Sequence, residues 1–174
     1  MMQPVEPVKD DPLRILFDKQ VNESERARLN EALQFAIQVY GDERRPSGES
    51  YLDHARSVTL ALSELGIDDP DTAIAALLHD TLQPFCGQTG KDLEKEFGRE
   101  VSYLVKGIKT LEDYSRQASS NRPATQYGLD TGYDRDTLEA IRRALLSIVE
   151  GDIRIIVIRM VDCLQDLRRN KDGD

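Results

Sequence analysis

The stretch PDTAIAALLHDTLQP, residues 70–84, decides how the chain is read. Asp69, just ahead of it, is a helix cap, and Pro70 suits a first helical turn, where its missing N–H leaves no bond unmade. From Thr72 to Leu78 the run is almost wholly apolar, and a helix apolar on every side belongs at the centre of a domain. The spacing predicts one helix over TAIAALLHDTL, residues 72–82, ended by Pro84 and Gly87. His79 and Asp80 then stand at the end of a buried helix. An ionised carboxylate is costly there unless it is paired or bound to a metal.

Helical periodicity extends outward on both sides. Residues 23–40 carry Leu29, Leu33, Ala36 and Tyr40 at helical spacing, and Gly41 is a stop. Residues 42–50, DERRPSGES, read as a basic loop. A second helix runs from about Asp53 to Leu65, with Val58, Leu62 and Leu65 on one face. Downstream, Thr89 to Gly98 reads as a short helix and Arg99 to about Tyr114 as a longer one, with Val101, Leu104, Val105, Ile108 and Leu111 apolar. Residues 115–134 read as a long loop, and such loops are usually functional or disordered. Asp136 or Thr137 opens a helix to about Val149, broken by Gly151. Residues 152–170 begin with a β-like run of Ile and Val. Their length and the apolar positions Ile153, Ile156, Val157, Met160, Val161, Leu164 and Leu167 favour a buried helix. The expectation is an all-α fold of about seven helices in one domain over residues 23–170, with a flexible lead-in (1–22) and a short tail (171–174). The stop at Asp174 suggests a domain from a longer chain.

Composition narrows the function. The 174 residues are 39% hydrophobic, 32% charged and 6% aromatic, with a net charge of -9. That length and apolar content suit one buried core, and the charge disfavours nucleic acid and anionic membranes as partners. A small anionic ligand then needs a local arginine cluster or a metal ion. Cys86 and Cys163 form no spaced metal motif, and a reduced, cytoplasmic protein is the simpler reading. No stretch is long and apolar enough to span a bilayer.

The chemistry rests on few residues. His54 and His79 are the chain's two histidines, and Asp80 and Asp162 each interrupt an apolar run. Together they make a ligand set for a divalent cation such as Mn, Fe, Mg or Zn. Each residue alone has a plainer reading: a histidine satisfied within the core, or Asp162 paired with Arg159 three residues earlier. The joint pattern H…HD…D carries the metal reading.

Four ordered blocks carry a resemblance: RRPSGESYLDH (44–54), AALLHDT (75–81), FGREVSYLVKGIKTL (97–111) and LEAIRRALLSIVEGDIRIIVIRMVDCLQDLR (138–168). Over about residues 25–170 the chain resembles the hydrolase domain of RelA/SpoT proteins, within the HD superfamily. The resemblance implies that His54, His79, Asp80 and Asp162 hold one divalent ion, usually manganese. It implies that Arg45 lies near a guanine base, with Ser47 and Tyr51 along the same wall. Read alone, Arg44 and Arg45 are a solvated basic turn. The implied substrate is the guanine nucleotide alarmone (p)ppGpp, and a synthetase domain often follows in longer chains of this kind.

The match breaks at instructive places. The family's H-D-x-x-E-D reads HDTLQP here, so Gln83 and Pro84 replace an acidic pair that handles the proton of the attacking water. Gln cannot exchange a proton, and Pro offers neither carboxylate nor N–H. Asp80 and Gln83 are therefore the catalytic positions to test. Asp166 replaces an Asn and sets an extra carboxylate in the substrate wall, unfavourable beside a polyanion unless a cation joins it. Arg169 either restores a positive charge there or serves as a helix C-terminal cation. Arg142 and Arg143 read as a solvated face or as phosphate contacts. Three functions follow: a metal-dependent hydrolase that removes the 3′-diphosphate of (p)ppGpp, weakened by the Gln83–Pro84 change; a degenerate module regulating an attached synthetase; or a hydrolase of another nucleotide.

Overall fold

The computed structural model describes Leu13, residues 22–120 and residues 151–172. Among these residues there are six α-helices: α1 Glu23–Tyr40, α2 Tyr51–Glu64, α3 Pro70–Leu77, α4 Gly90–Phe97, α5 Arg99–Ser120 and α6 Ile153–Asp172. A 3-10 turn, Pro84–Cys86, lies between α3 and α4. Extended pairing among the described residues is limited to one isolated bridge, Arg44 to Ser50. The all-α reading holds. The helix expected over 136–149, with Arg142 and Arg143, lies outside the described residues, as do the lead-in apart from Leu13 and Asn22 and residues 121–134 of the expected loop.

Side-chain acceptors fix where the helices start. Asn22 and Glu25 form a reciprocal capping box at α1, and Thr89 and Asp92 form another at α4. Asp69 accepts from the Thr72 amide at 3.0 Å, with Pro70 in the first turn of α3. Ser50 accepts from the Asp53 amide at 3.2 Å, so α2 starts at Tyr51, two residues before the position expected from periodicity.

Two helix ends correct the sequence reading. The central helix stops at Leu77 rather than Leu82. The ring of His79 takes the Ala76 carbonyl at 2.7 Å, and the Asp80 amide, which would have bonded that carbonyl, meets the Tyr40 hydroxyl at 3.3 Å. The Thr81 hydroxyl likewise takes the Leu78 carbonyl at 2.6 Å. Side chains thus replace the next turn of backbone bonds, and His79 and Asp80 sit in a tight turn beyond the helix. In contrast, α5 continues past Tyr114 to Ser120, into the expected loop. Ser115 bonds back to the Leu111 carbonyl at 2.9 Å, and Arg116 pairs with Glu112 one turn earlier at 2.5 Å.

The helix α3 is the axis of the domain. Thr72 to Leu77 are all buried, and α1, α2, α5 and α6 all pack on it. In α6 the buried face is Ile155, Ile158, Val161 and Asp162. Ile153, Met160, Leu164 and Leu167 are exposed, although the sequence counted them toward a buried helix. The apolar stripe of α6 is wider than the face that α2, α3 and α5 cover. Gly107 sets the approach of α5 to α6: a β-carbon there would stand 2.4 Å from Cδ1 and 3.0 Å from Cγ1 of the buried Ile155.

This close packing has a measurable consequence. Gly107→Val is expected to lower the urea unfolding free energy by about 1–3 kcal/mol, the usual cost of overpacking a core. An unchanged midpoint would show that α6 does not lie against α5 at Ile155.

Candidate metal centre

Three elements bring four buried side chains together as two overlapping clusters that share His54. The first turn of α2 supplies His54, the turn after α3 supplies His79 and Asp80, and the buried face of α6 supplies Asp162. All four are at most 5% exposed. The two imidazoles meet edge to face with centroids 5.4 Å apart. One nitrogen or oxygen each from His54, His79 and Asp80 lies within 4.8 Å of the others, and so does one each from His54, Asp162 and Asp166.

The hydrogen bonds define which lone pairs remain. His79 Nδ1 lies 2.7 Å from the Ala76 carbonyl, which can only accept, so the proton is on Nδ1. Its Nε2 is buried without a hydrogen-bond partner. That nitrogen lies 3.4 Å from Asp80 Oδ2 and 4.0 Å from Asp162 Oδ1, both acceptors. A buried imidazole lone pair facing two carboxylates calls for a cation or a proton. Burial lowers the proton affinity of His79, but Asp80 and Asp162 outweigh it and raise its pKa. Burial raises the pKa of Asp162, but the hydrogen bond from His54 and the charges of His79 and Arg159 hold it far below the carboxylate range. Ligands of one divalent ion, each about 2.0–2.3 Å from it, span about the spacing seen here. Two neutral histidines with two carboxylates also balance a +2 charge. The residues present fit a divalent cation.

His54 is hydrogen-bonded through both ring nitrogens. The Arg45 guanidinium, which can only donate, faces Nδ1 at 2.8 Å, so Nε2–H donates to Asp162 at 2.9 Å. Ligation through Nε2 needs the other tautomer, and Glu49 Oε2, 3.5 Å from Nδ1, is placed to accept that proton. Glu49 is itself buried and paired with Arg169. Sequence reasoning gave Glu49 no role. Its signal was a carboxylate inside the RRPSGESYLDH block, with nothing to show that a loop residue would be buried.

Above the cluster opens a cleft of about 340 Å³, lined by Arg45, Pro46, Ser47, Glu112, Arg116, Arg159, Asp166 and Arg169. Arg45 and Ser47 are therefore together, with Asp166 opposite. Tyr51 is not among the lining residues; it packs between Tyr40 and Phe85, with centroids 6.1 and 4.7 Å away. Arg45 donates to both oxygens of Asp166, at 2.5 and 3.3 Å. The extra carboxylate thus has its cation within the chain. Arg44, by contrast, is exposed and bonds the Gly48 carbonyl in its own loop. Arg159 pairs with Asp162, as its spacing of three residues allowed. Arg169 spans to Glu49 rather than merely capping its helix.

Of the two altered positions after Asp80, only Gln83 faces the cluster. Pro84 is exposed at the start of the 3-10 turn. The buried Gln83 amide donates to Asp80 Oδ1 at 3.1 Å and to both oxygens of Glu112, at 3.2 and 3.0 Å. Glu112 was also missed by sequence reasoning, because α5 reaches Gln83 only through the tertiary fold.

Fold and cluster together define an all-α domain with a candidate divalent-metal centre beneath an arginine-rimmed cleft. The chain belongs to the HD domain family, which matches residues 32–173. It is 30% identical over 152 residues to a protein of Brucella ovis named GTP pyrophosphokinase rsh, covering 87% of this chain and 18% of that protein. It is 31% identical over 140 residues to a protein of Aquifex aeolicus named guanosine-3′,5′-bis(diphosphate) 3′-pyrophosphohydrolase, covering 80% of this chain and 17% of that one. The chain thus spans less than a fifth of the length of these relatives. The RelA/SpoT resemblance read from the sequence is borne out by them. A solved structure described as "A metazoan ortholog of SpoT hydrolyzes ppGpp and plays a role in starvation responses" aligns at 23% identity and a TM-score of 0.44, covering 80% of this chain and 96% of that one. That superposition is too loose to add to the argument. No described helix is long and apolar enough to cross a membrane.

A divalent ion that binds the folded cluster must stabilise the fold. Mn²⁺ at a hundredfold excess over its Kd is expected to add about 2.7 kcal/mol, read as a rise in the thermal midpoint. His79→Ala should remove that rise. A midpoint indifferent to divalent ions would contradict a metal centre here.

Proposed function

We propose that this domain hydrolyses the 3′-diphosphate of (p)ppGpp, releasing pyrophosphate and GDP or GTP, with one Mn²⁺ held by His54, His79, Asp80 and Asp162. The observation that carries the reading is the partnerless, buried Nε2 of His79, aimed between two carboxylates beneath a cleft rimmed by arginines. The family match and the name of the Aquifex relative supply the reaction class and the nucleotide. When bound, such an ion polarises phosphoryl oxygens and lowers the pKa of a water.

The chain's own residues account for binding. Four guanidinium groups line the cleft against the two carboxylates of Glu112 and Asp166. In a chain of net charge -9, that local excess of positive charge suits a nucleotide with two diphosphate arms. Arg45, fixed by Asp166, would place the guanine, with Ser47 beside it. Arg116 and Arg169, with side chains 63% and 49% exposed, are paired with Glu112 and Glu49, and phosphate oxygens entering the cleft would compete with those carboxylates for them. Asp80 serves both as a ligand and as the acceptor that orients Gln83.

A second reading draws on the Gln83–Pro84 change and on the small share of its relatives that the chain covers. On that reading the domain binds metal or nucleotide without turnover and regulates a synthetase domain in the same, longer, cytoplasmic protein.

Pyrophosphate release from ppGpp by the purified chain with Mn²⁺ separates the two. Metal-dependent release that is lost in His79→Ala is the expected result. Bound Mn²⁺ with no release would leave the regulatory reading in its place.

A further inference from the structure

Hydrolysis needs a group that accepts a proton from the attacking water, and the residue after which such groups are sought here is an amide, Gln83. Five described carboxylates lie in or around the site. Asp80 and Asp162 face the ligand point. Asp166 is neutralised by two hydrogen bonds from Arg45. Glu49 is buried behind His54 and paired with Arg169. Glu112 differs from all four: it comes from α5, lines the cleft, and touches no candidate ligand directly.

Its tether is specific. Gln83 Nε2 faces three acceptors, Asp80 Oδ1 and both oxygens of Glu112, so the nitrogen must be the atom that points there. One amide nitrogen thus bridges the Glu112 carboxylate to Asp80, with a hydrogen bond on each side. The remaining partners are Arg116, on Oε1 at 2.5 Å, and Lys109, at 3.6 Å from Oε2 and shared with Asp113. A carboxylate offers about four lone-pair sites. Three donated hydrogen bonds, one of them on Oε2, leave that oxygen with room for a water's proton.

We propose that Glu112 is the general base of this site, held in place by Gln83. The assignment rests on the hydrolase reading above. Glu112 accepts one proton from water as the water oxygen bonds to the phosphorus carried on the ribose 3′ oxygen. The bond between that phosphorus and the 3′ oxygen breaks. The 3′ oxygen leaves with the electron pair and becomes a hydroxyl by taking a proton from solvent, and Glu112 returns its own proton to solvent.

The test uses the full chain and ppGpp with Mn²⁺, alongside a titration of Mn²⁺ alone. Glu112→Gln keeps the shape and the acceptor for Gln83 but cannot take up the proton. It is expected to lower kcat by about 10²–10⁴-fold, with KM and Mn²⁺ affinity unchanged within about twofold. The double variant Gln83→Glu/Glu112→Gln returns a carboxylate to the same hydrogen-bonded pair from the other side, and is expected to recover most of the lost kcat. Wild-type kcat in Glu112→Gln overturns the proposal and leaves the hydrolase reading standing. So does a loss of Mn²⁺ affinity that accounts for the lost rate, or a failure of the double variant to recover. An inactive wild type beside an active Gln83→Glu/Pro84→Asp variant also rejects Glu112 as the base, while the substrate class survives. Inactivity of both, with Mn²⁺ bound, removes the hydrolase reading itself and Glu112's role with it.

Discussion

The buried imidazole of His79 constrains the rest of the site. Its Nδ1 is committed to the carbonyl of Ala76, which fixes the tautomer, and its Nε2 is left with a lone pair and two carboxylates in view. Water cannot reach it freely, and no protein donor meets it. Such a contact is repulsive unless a cation or a proton lies between the partners. The same hydrogen bond ends α3, so the feature that fixes the tautomer of His79 also releases Asp80 from the helix and lets Tyr40 hold its amide. Fold and site are settled by one local event.

The surrounding charges form a second layer that holds the cluster in register. Four acidic groups of the site among the described residues have specific basic or amide partners: Asp162 with Arg159, Asp166 with Arg45, Glu49 with Arg169, Glu112 with Arg116 and Gln83. Arg45 reaches both His54 and Asp166, so the tautomer of His54 is coupled to the wall of the cleft. A polyanion entering the cleft would compete for these arginines. Loading of the cluster and binding of substrate would then draw on the same side chains.

The parts of this account that were legible in the sequence share one property: they violate a pattern. His79, Asp80 and Asp162 stood out because polar groups interrupt apolar helices, and His54 because the chain has just two histidines. The helices of the described residues followed from periodicity and caps, and they lie where expected apart from the ends of α3 and α5 and the start of α2. What the sequence hid depends on tertiary neighbours. Nothing in DERRPSGES marks Glu49 as buried, and nothing in KTLEDY (109–114) points Glu112 at Gln83. Asp166 looked like a charge problem because its partner, Arg45, lies 121 residues earlier. The end of α3 was misplaced because periodicity continues through Leu82, while side-chain hydrogen bonds from His79 and Thr81 stop the helix at Leu77.

The most direct measurement of the central claim is a crystal structure of the chain grown with Mn²⁺, with anomalous diffraction recorded at the manganese edge. The account predicts one strong peak among His54 Nε2, His79 Nε2, Asp80 and Asp162, with the hydrogen bond from His54 to Asp162 replaced by ligation. No peak there, with His54 still bonded to Asp162 at saturating Mn²⁺, would contradict it.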